Sequence, residues 1–237
     1  MTIFTIGHSN HSIETFIALL KQHGITAVAD VRSSPYSHRF PHFNQASLKT
    51  ALNTANIAYV FLGNNLGARP NDRSCYVEGV ARYDLIAVTE AFATGLNRLV
   101  KGTEEHQITL MCAEQDPIVC HRSILVCPHL QKAGLEIKHI HKNGELESHE
   151  LLERRLLKIH HLDKLLPASP DSNHDNQSGK QLSLFDINPY DRNYQEMAPI
   201  AKPLLREELI QKAYQLQGEK IAYVENIELE QSHESAS

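Results

Sequence analysis

The side chains able to do chemistry crowd into one stretch, Ile108 to Leu130, with the sequence ITLMCAEQDPIVCHRSILVCPHL. Cys112, Glu114, Asp116, Cys120, His121 and Arg122 all fall within eleven positions there. Ile108 to Met111 is an apolar, β-compatible run, and beyond Arg122 the residues Ile124, Leu125, Pro128 and Leu130 give the apolar face of a helix. The reactive residues therefore sit between a strand end and a helix start. In open α/β sheets ligands bind at that edge, because loops converge there and helix amino termini present unpaired N–H groups to anions.

A cysteine at such a strand end, facing a helix amino terminus and Arg122, should have a lowered thiol pKa and could act as a thiolate nucleophile. Cys112 is the candidate, with Glu114 and His121 for proton transfer. Rhodanese-like and cysteine-phosphatase domains use this architecture, but here nine residues separate Cys112 from Arg122, more than their short loops allow. A metal reading groups Cys112, Cys120 and His121, with His8 as a fourth ligand for zinc. Adjacent side chains at a helix start are expected to diverge, so zinc is not favoured and no metal ligand is assigned. Cys120 is counted with the substrate-binding residues, and Cys127 with the core.

The elements that must position these residues alternate. Thr2 to Gly7 reads as a strand. Ser12 can cap a helix with the apolar face Ile13, Phe16, Ile17 and Leu20, closed at Gly24. A strand over Ile25 to Val31 leads into Asp30, Arg32 and Ser33, then a loop carrying Tyr36, His38, Arg39, Phe40, His42 and Phe43. A helix from about Gln45 to Asn56 and a strand from Ile57 to Leu62 follow. Gly63, Gly67, Arg69 and Pro70 punctuate a loop as far as Cys75. One long helix is expected over Tyr83 to Val100, a last strand over Leu135 to His141, and a charged helix over Glu147 to Leu162. Repeated βα units of this kind predict a three-layer, Rossmann-like α/β fold: a mostly parallel sheet with helices on both faces.

That topology carries a geometric expectation. His8, Asp30, Arg32, Gly63 and Cys112 all end strands, so they should meet in one crevice. His8 and Asp30 join the catalytic candidates, and Ser9, Arg32, Ser33, Arg39, Arg69 and Arg122 the substrate-binding ones. Guanidinium forks beside a helix amino terminus suit phosphate or carboxylate. The aromatic and basic loop from Tyr36 to Phe43 could stack on unpaired bases.

Four stretches, TIGHSN at Thr5 to Asn10, DVRSSPYS at Asp30 to Ser37, FLGNNLGAR at Phe61 to Arg69 and LMCAEQDPIVCHR at Leu110 to Arg122, resemble domain-of-unknown-function family 488. The resemblance runs in order over about Thr2 to Leu156. It implies an α/β domain and supports the site positions; it implies no reaction.

Composition narrows the classes. The 237 residues allow one sizeable domain and an appendage, and 41% hydrophobic content suffices for a core. A formal charge of −5 and a pI near 6.3 exclude coating of nucleic acid by bulk charge, though not a local basic groove. With no secretory apolar segment at the amino terminus and no apolar run of about 18 residues, a cytoplasmic protein without a membrane partner is expected. Four cysteines in this length make no disulfide framework, so reduced thiols are the default.

The α/β domain is expected over residues 1–166 and a disordered linker over 167–180, PASPDSNHDNQSGK, which lacks apolar side chains beyond Ala and Pro. Residues 181–237 form a partner-binding motif and a small accessory segment. Gln181, Leu182, Ser183, Leu184 and Phe185 resemble the pentapeptide with which bacterial polymerases and repair proteins bind the replication sliding clamp. A helix over Pro203 to Gly218 and a strand over Lys220 to Val224 complete the expectations.

The sequence thus points to an enzyme-like α/β protein with an anion-binding crevice, acting on DNA or nucleotides in replication or repair and tethered by its tail. The alternatives are a cysteine-dependent sulfur- or phosphoryl-transfer enzyme, and a non-catalytic nucleic-acid or protein adaptor.

Overall fold

The computed structural model describes residues 1–166 and 206–225. Strand β1 (Thr2–Gly7) leads to helix α1 (Ile13–Gln22), capped by Ser12, whose Oγ accepts the Thr15 N–H. Then come β2 (Ala27–Asp30), α2 (Gln45–Thr54), β3 (Ala58–Phe61) and the short α3 (Gly63–Leu66). A hairpin of β4 (Tyr76–Val77) and β5 (Val80–Ala81) precedes α4 (Tyr83–Ala87) and α5 (Glu90–Gly102). Beyond β6 (Ile108–Cys112), a π-helical turn, Arg122–Val126, runs into α6 (Cys127–Lys132). The order closes with β7 (Glu136–Ile140), β8 (Leu146–Ser148), α7 (His149–Ile159) and α8 (Arg206–Ile221).

Six strands make one sheet in the order β3-β2-β6-β1-β7-β8, with β8 alone antiparallel to its neighbour. Every residue of β6 is buried, as befits a strand covered on both faces and written without a charged residue. One face carries α1 and α2 through Phe16, Leu20, Leu48 and Leu52, packed on Phe4, Ile6, Val28 and Met111. The other carries α5, the π-helical turn and α6 through Phe92, Leu99, Leu125 and Leu130, packed on Ile3, Ala29, Leu110 and Ile137. The three-layer α/β arrangement expected from the alternation is therefore present. On the second face α7 and α8 add an outer layer, with Leu156, Leu157, Leu209 and Ala213 meeting Ile118 and Ile124.

Several local expectations are corrected. The long helix is two, because Thr89 takes an extended backbone and caps α5 through the Phe92 N–H. Residues 63–66, read as loop, are the helical turn α3. The segment Glu147 to Leu162 begins in β8, and the tail strand gives way to α8 followed by a single bridge from Val224 to Val80. The helix after Arg122 starts as a π-turn: Pro128 has no N–H to return to the carbonyl of Ile124, which loosens the turn before it.

Among the described residues no helix is long and apolar enough to cross a membrane. The clamp-like motif Gln181 to Phe185 and the whole of the linker, residues 167–180, lie outside the described residues.

Candidate metal and acid–base centre

The strand ends do come to one edge of the sheet, but the sheet divides them into two clusters. Alternation along β2 puts Asp30 with Val28 on the α1/α2 side, and alternation along β6 puts Cys112 with Leu110 on the other. A single crevice lined by His8, Asp30, Arg32, Cys112 and Arg122 is therefore not what forms.

The first cluster is closed. Arg32 donates from Nε and Nη2 to the two Asp30 oxygens at 2.9 and 2.7 Å, from Nη2 to the Phe43 carbonyl at 2.9 Å, and from Nη1 toward His8 Nε2 at 3.3 Å. Tyr59 adds its hydroxyl to Asp30 Oδ2 at 2.8 Å. His8 stacks on Phe43 with centroids 4.3 Å apart, and burial, then the charge of Arg32, push its pKa down to about 4. Arg32 is thus spent on bracing the loop after β2. The aromatic residue Phe43, expected on a base-stacking loop, is wholly buried in the core instead.

The second cluster holds the sulfur. Cys112, Cys120 and His121 present their ligand atoms within 4.8 Å of one another. His121 Nδ1 lies 3.7 Å from Cys112 Sγ and 3.9 Å from Cys120 Sγ, while Nε2 donates to the Val31 carbonyl at 3.0 Å. The expected divergence of Cys120 and His121 fails because only one of them is helical. Cys120 is extended (φ −129°, ψ 137°) at the end of the Pro117–Val119 turn, and His121 (φ −58°, ψ −28°) opens the next. The Asp116 carboxylate fixes that turn by accepting the Ile118 N–H at 3.1 Å.

Glu114 joins this cluster. Glu114 is exposed as a residue, yet its Oε2 turns in to lie 3.0 Å from Cys120 Sγ. Burial raises the Cys120 thiol pKa, but the Cys112 hydrogen bond and the charges of Arg122 and His121 outweigh it and leave Cys120 the more acidic sulfur. The hydrogen bond to Cys120, then burial, hold Cys112 above the ordinary thiol range. The more acidic sulfur, expected at Cys112, is therefore Cys120, which stands nearer the helical turn. Partial desolvation, then the Cys120 charge, raise the Glu114 carboxyl.

Arg122 is buried, at 1% exposure. It donates to the carbonyls of Glu114 and Gln115 at 2.8 and 3.3 Å, and so pins the loop that carries Glu114. Gly7 lets that loop close on β1: a Cβ there would stand 1.8 Å from the Glu114 carbonyl oxygen. Gly63 permits a like approach to the Arg32 carbonyl, at 2.0 Å.

The other candidates lie at the rim. Ser9 takes a left-handed backbone (φ 46°) and reaches Gln115 Oε1 at 3.3 Å. Ser33 Oγ accepts the Arg69 N–H at 3.0 Å, while the exposed Arg69 guanidinium lies 4.2 Å from the centre of the Tyr223 ring. Arg39 stands exposed 5.5 Å over Phe40 and shares no hydrogen bond with either cluster among the described residues. Tyr83, which the sequence did not flag, lies close enough that the Cys120, Cys112 and Glu114 charges, after burial, raise its phenol. It also lines a cavity of about 610 Å³ with Val80, Leu125, Pro128, Tyr214 and Gly218. That cavity's walls include neither cysteine.

Strand β6, the Cys112-to-Arg122 loop and the π-turn are the part of the chain on which a comparison turns. Residues 12–127 match the family model described as Domain of unknown function DUF488. The DUF488 match takes in both clusters except His8 and supports the resemblance carried by the Asp30, Phe61 and Leu110 stretches. It stops at Cys127, before α7 and α8. No curated protein and no solved structure matches the chain.

Proposed function

We propose that this DUF488-like chain is a metal-dependent enzyme of the hydrolytic kind, built on a Cys112–Cys120–His121 centre for a zinc-class ion with Glu114 beside its open position. The carrying observation is the convergence of three soft ligand atoms on one point. Zinc–sulfur bonds of about 2.3 Å and zinc–nitrogen bonds of about 2.0 Å at tetrahedral angles set S and N roughly 3.5 Å apart. The distances of 3.7 and 3.9 Å leave little rearrangement to make. Thiolate and imidazole select zinc or its soft neighbours over magnesium and calcium. The Val31 carbonyl supplies the outer hydrogen bond that ligating histidines need for a fixed tautomer.

Three protein ligands and a free fourth position are the pattern of catalytic rather than structural zinc. When bound, the ion lowers the pKa of its water toward neutrality. Glu114 would accept the proton of an attacking water as the water oxygen bonds to the electrophilic atom of the substrate, and would return it to the departing group as the bond between that group and the same atom breaks. Arg122 holds the loop from which Glu114 reaches in, and the exposed Arg69, stacked on Tyr223, would meet an anionic part of a substrate. The test is loading: the full chain should bind one zinc per molecule, and Cys112→Ser, Cys120→Ser and His121→Ala should each weaken binding at least about tenfold. Wild-type affinity in all three variants would reject the centre.

A second reading rests on Gln181-Leu182-Ser183-Leu184-Phe185 alone. Tethering to a sliding clamp would bring the centre to DNA and make nucleic acid or nucleotides its substrate.

A further inference from the structure

Arg122 does more than hold the Glu114 loop, because its own Nε is held in turn. Behind it runs a line of buried polar groups that the centre described above does not use. Arg122 Nε lies 3.4 Å from Thr5 Oγ1 on β1. Thr5 Oγ1 meets His139 Nδ1 on β7 at 2.8 Å, and His139 Nε2 meets His149 Nδ1 at the start of α7 at 3.0 Å. His149 Nε2 meets the Tyr214 hydroxyl of α8 at 2.9 Å, and that hydroxyl reaches Glu153 Oε1 at 3.2 Å. The Arg206 guanidinium, also on α8, stands 3.6 Å from the other Glu153 oxygen. Thr5, His139, His149, Glu153 and Tyr214 are all buried.

The chemistry of the two ends fixes the direction of every bond between them. An arginine Nε–H can only donate and a carboxylate beside a guanidinium accepts. Tyr214 must therefore give its hydrogen to Glu153 and accept from His149 Nε2–H. His149 Nδ1 then accepts from His139 Nε2–H, and His139 Nδ1 accepts the Thr5 hydroxyl hydrogen, which leaves the Thr5 oxygen free to accept from Arg122. Both imidazoles are neutral Nε2–H tautomers, in keeping with burial, which pushes His149 down to about 4 and His139 lower than usual. Each group has one donor and one acceptor in use, so removing any member strands its neighbours in a dry interior.

We propose that this one-way chain of hydrogen bonds makes Tyr214 a positioning residue for the centre: α8 sets Arg122, and through it Glu114, by way of His149, His139 and Thr5. The segment at 206–221 then belongs to the working site although it lies outside the DUF488 match. The inference deepens the metal-centre reading, and a measurement independent of metal keeps the two apart.

Two measurements on the full chain test it. In the first, nitrogen-15 spectra of the imidazoles should report His139 and His149 as Nε2-protonated, and the Arg122 Nε–H resonance should move in Tyr214→Phe. It should stay in place in Leu209→Ala, which loosens α8 packing without touching the chain of hydrogen bonds. In the second, competition with a chelator should find zinc bound about tenfold more weakly by Tyr214→Phe, the size of effect expected for a residue acting behind a ligand shell, and unchanged by Leu209→Ala. An Nδ1-protonated tautomer at either histidine would overturn the proposal. So would an unmoved Arg122 resonance in Tyr214→Phe, or equal weakening of zinc by both variants. If the wild-type chain took up no zinc, the metal reading would fall and the nitrogen spectra would still decide the relay.

Discussion

His121 donates its Nε2–H to the Val31 carbonyl at 3.0 Å and thereby turns its Nδ1 toward both Cys112 and Cys120. A strand-end carbonyl of β2 thus fixes the tautomer of a residue contributed by the loop after β6. Replacing the ring while keeping a donor should expose this dependence. His121→Gln retains a group able to bond Val31 but lacks an imidazole nitrogen at the sulfur pair, so zinc affinity should fall about tenfold or more, with unfolding free energy changed far less than by deleting a core side chain. Chelator competition and urea unfolding on the same preparations would check both halves; equal zinc affinity would detach His121 from the centre.

Stability should respond to acid through His8 and His149. Each has a folded pKa of about 4, lowered chiefly by burial, against an ordinary value of 6.5. Between those values the unfolded chain binds protons that the folded chain refuses, so stability is fully present above pH 6.5 and is lost as pH falls toward 4. A shift of this size is worth at most about 3 kcal/mol per histidine. Urea midpoints at pH 7.5, 6, 5 and 4.5 should therefore decline steadily, and less steeply in His8→Gln. A flat profile would mean that neither ring is buried in its neutral form.

Much of the fold could be read directly because the central strands are buried on both sides. β1 and β6 are mostly apolar runs without a charged residue, and Ser12 marks the start of α1 as a capping residue should. What escaped notice was too short or too dependent on tertiary contact. The β4 and β5 strands have two residues each, too few for any alternation to register. The Thr89 cap lies inside a pattern that is apolar at helical spacing on both sides of it.

In the site, Cys112, Glu114, Cys120, His121 and Arg122 were singled out by their spacing, and they do cluster. Their division from His8, Asp30 and Arg32 follows from side-chain alternation along β2 and β6, which strand-end positions alone do not encode. The fit of the sulfur pair to His121 depended on Cys120 being extended rather than helical, a consequence of the Pro117 turn. Thr5, His139, His149 and Tyr214 carry no local signal, since four separate elements bring them together.

Gly7 gives a direct probe of how closely β1 must approach the Glu114 loop. The Cβ of Gly7→Ala would meet a backbone oxygen at 1.8 Å, so β1 or the loop has to shift. Overpacking of this kind costs about 1–3 kcal/mol and should lower the urea midpoint and zinc affinity together. An alanine variant as stable as wild type would mean that the loop is free to move aside.

For the tail, a peptide spanning residues 180–186 should bind purified sliding clamp at about micromolar strength, near −8 kcal/mol. Replacing Leu184 and Phe185 by Ala should weaken it about a hundredfold, because those side chains carry most of the anchoring area. Absence of binding by the unaltered peptide would remove the reason for placing this chain at DNA.

The central claim is that Cys112, Cys120 and His121 hold one ion together. X-ray absorption at the zinc edge of the zinc-loaded full chain tests it most directly. The account predicts an inner shell of two sulfurs at about 2.3 Å and one imidazole nitrogen at about 2.0 Å, completed by a lighter oxygen ligand. A shell of oxygen and nitrogen alone, or zinc lost on simple dialysis, would contradict it.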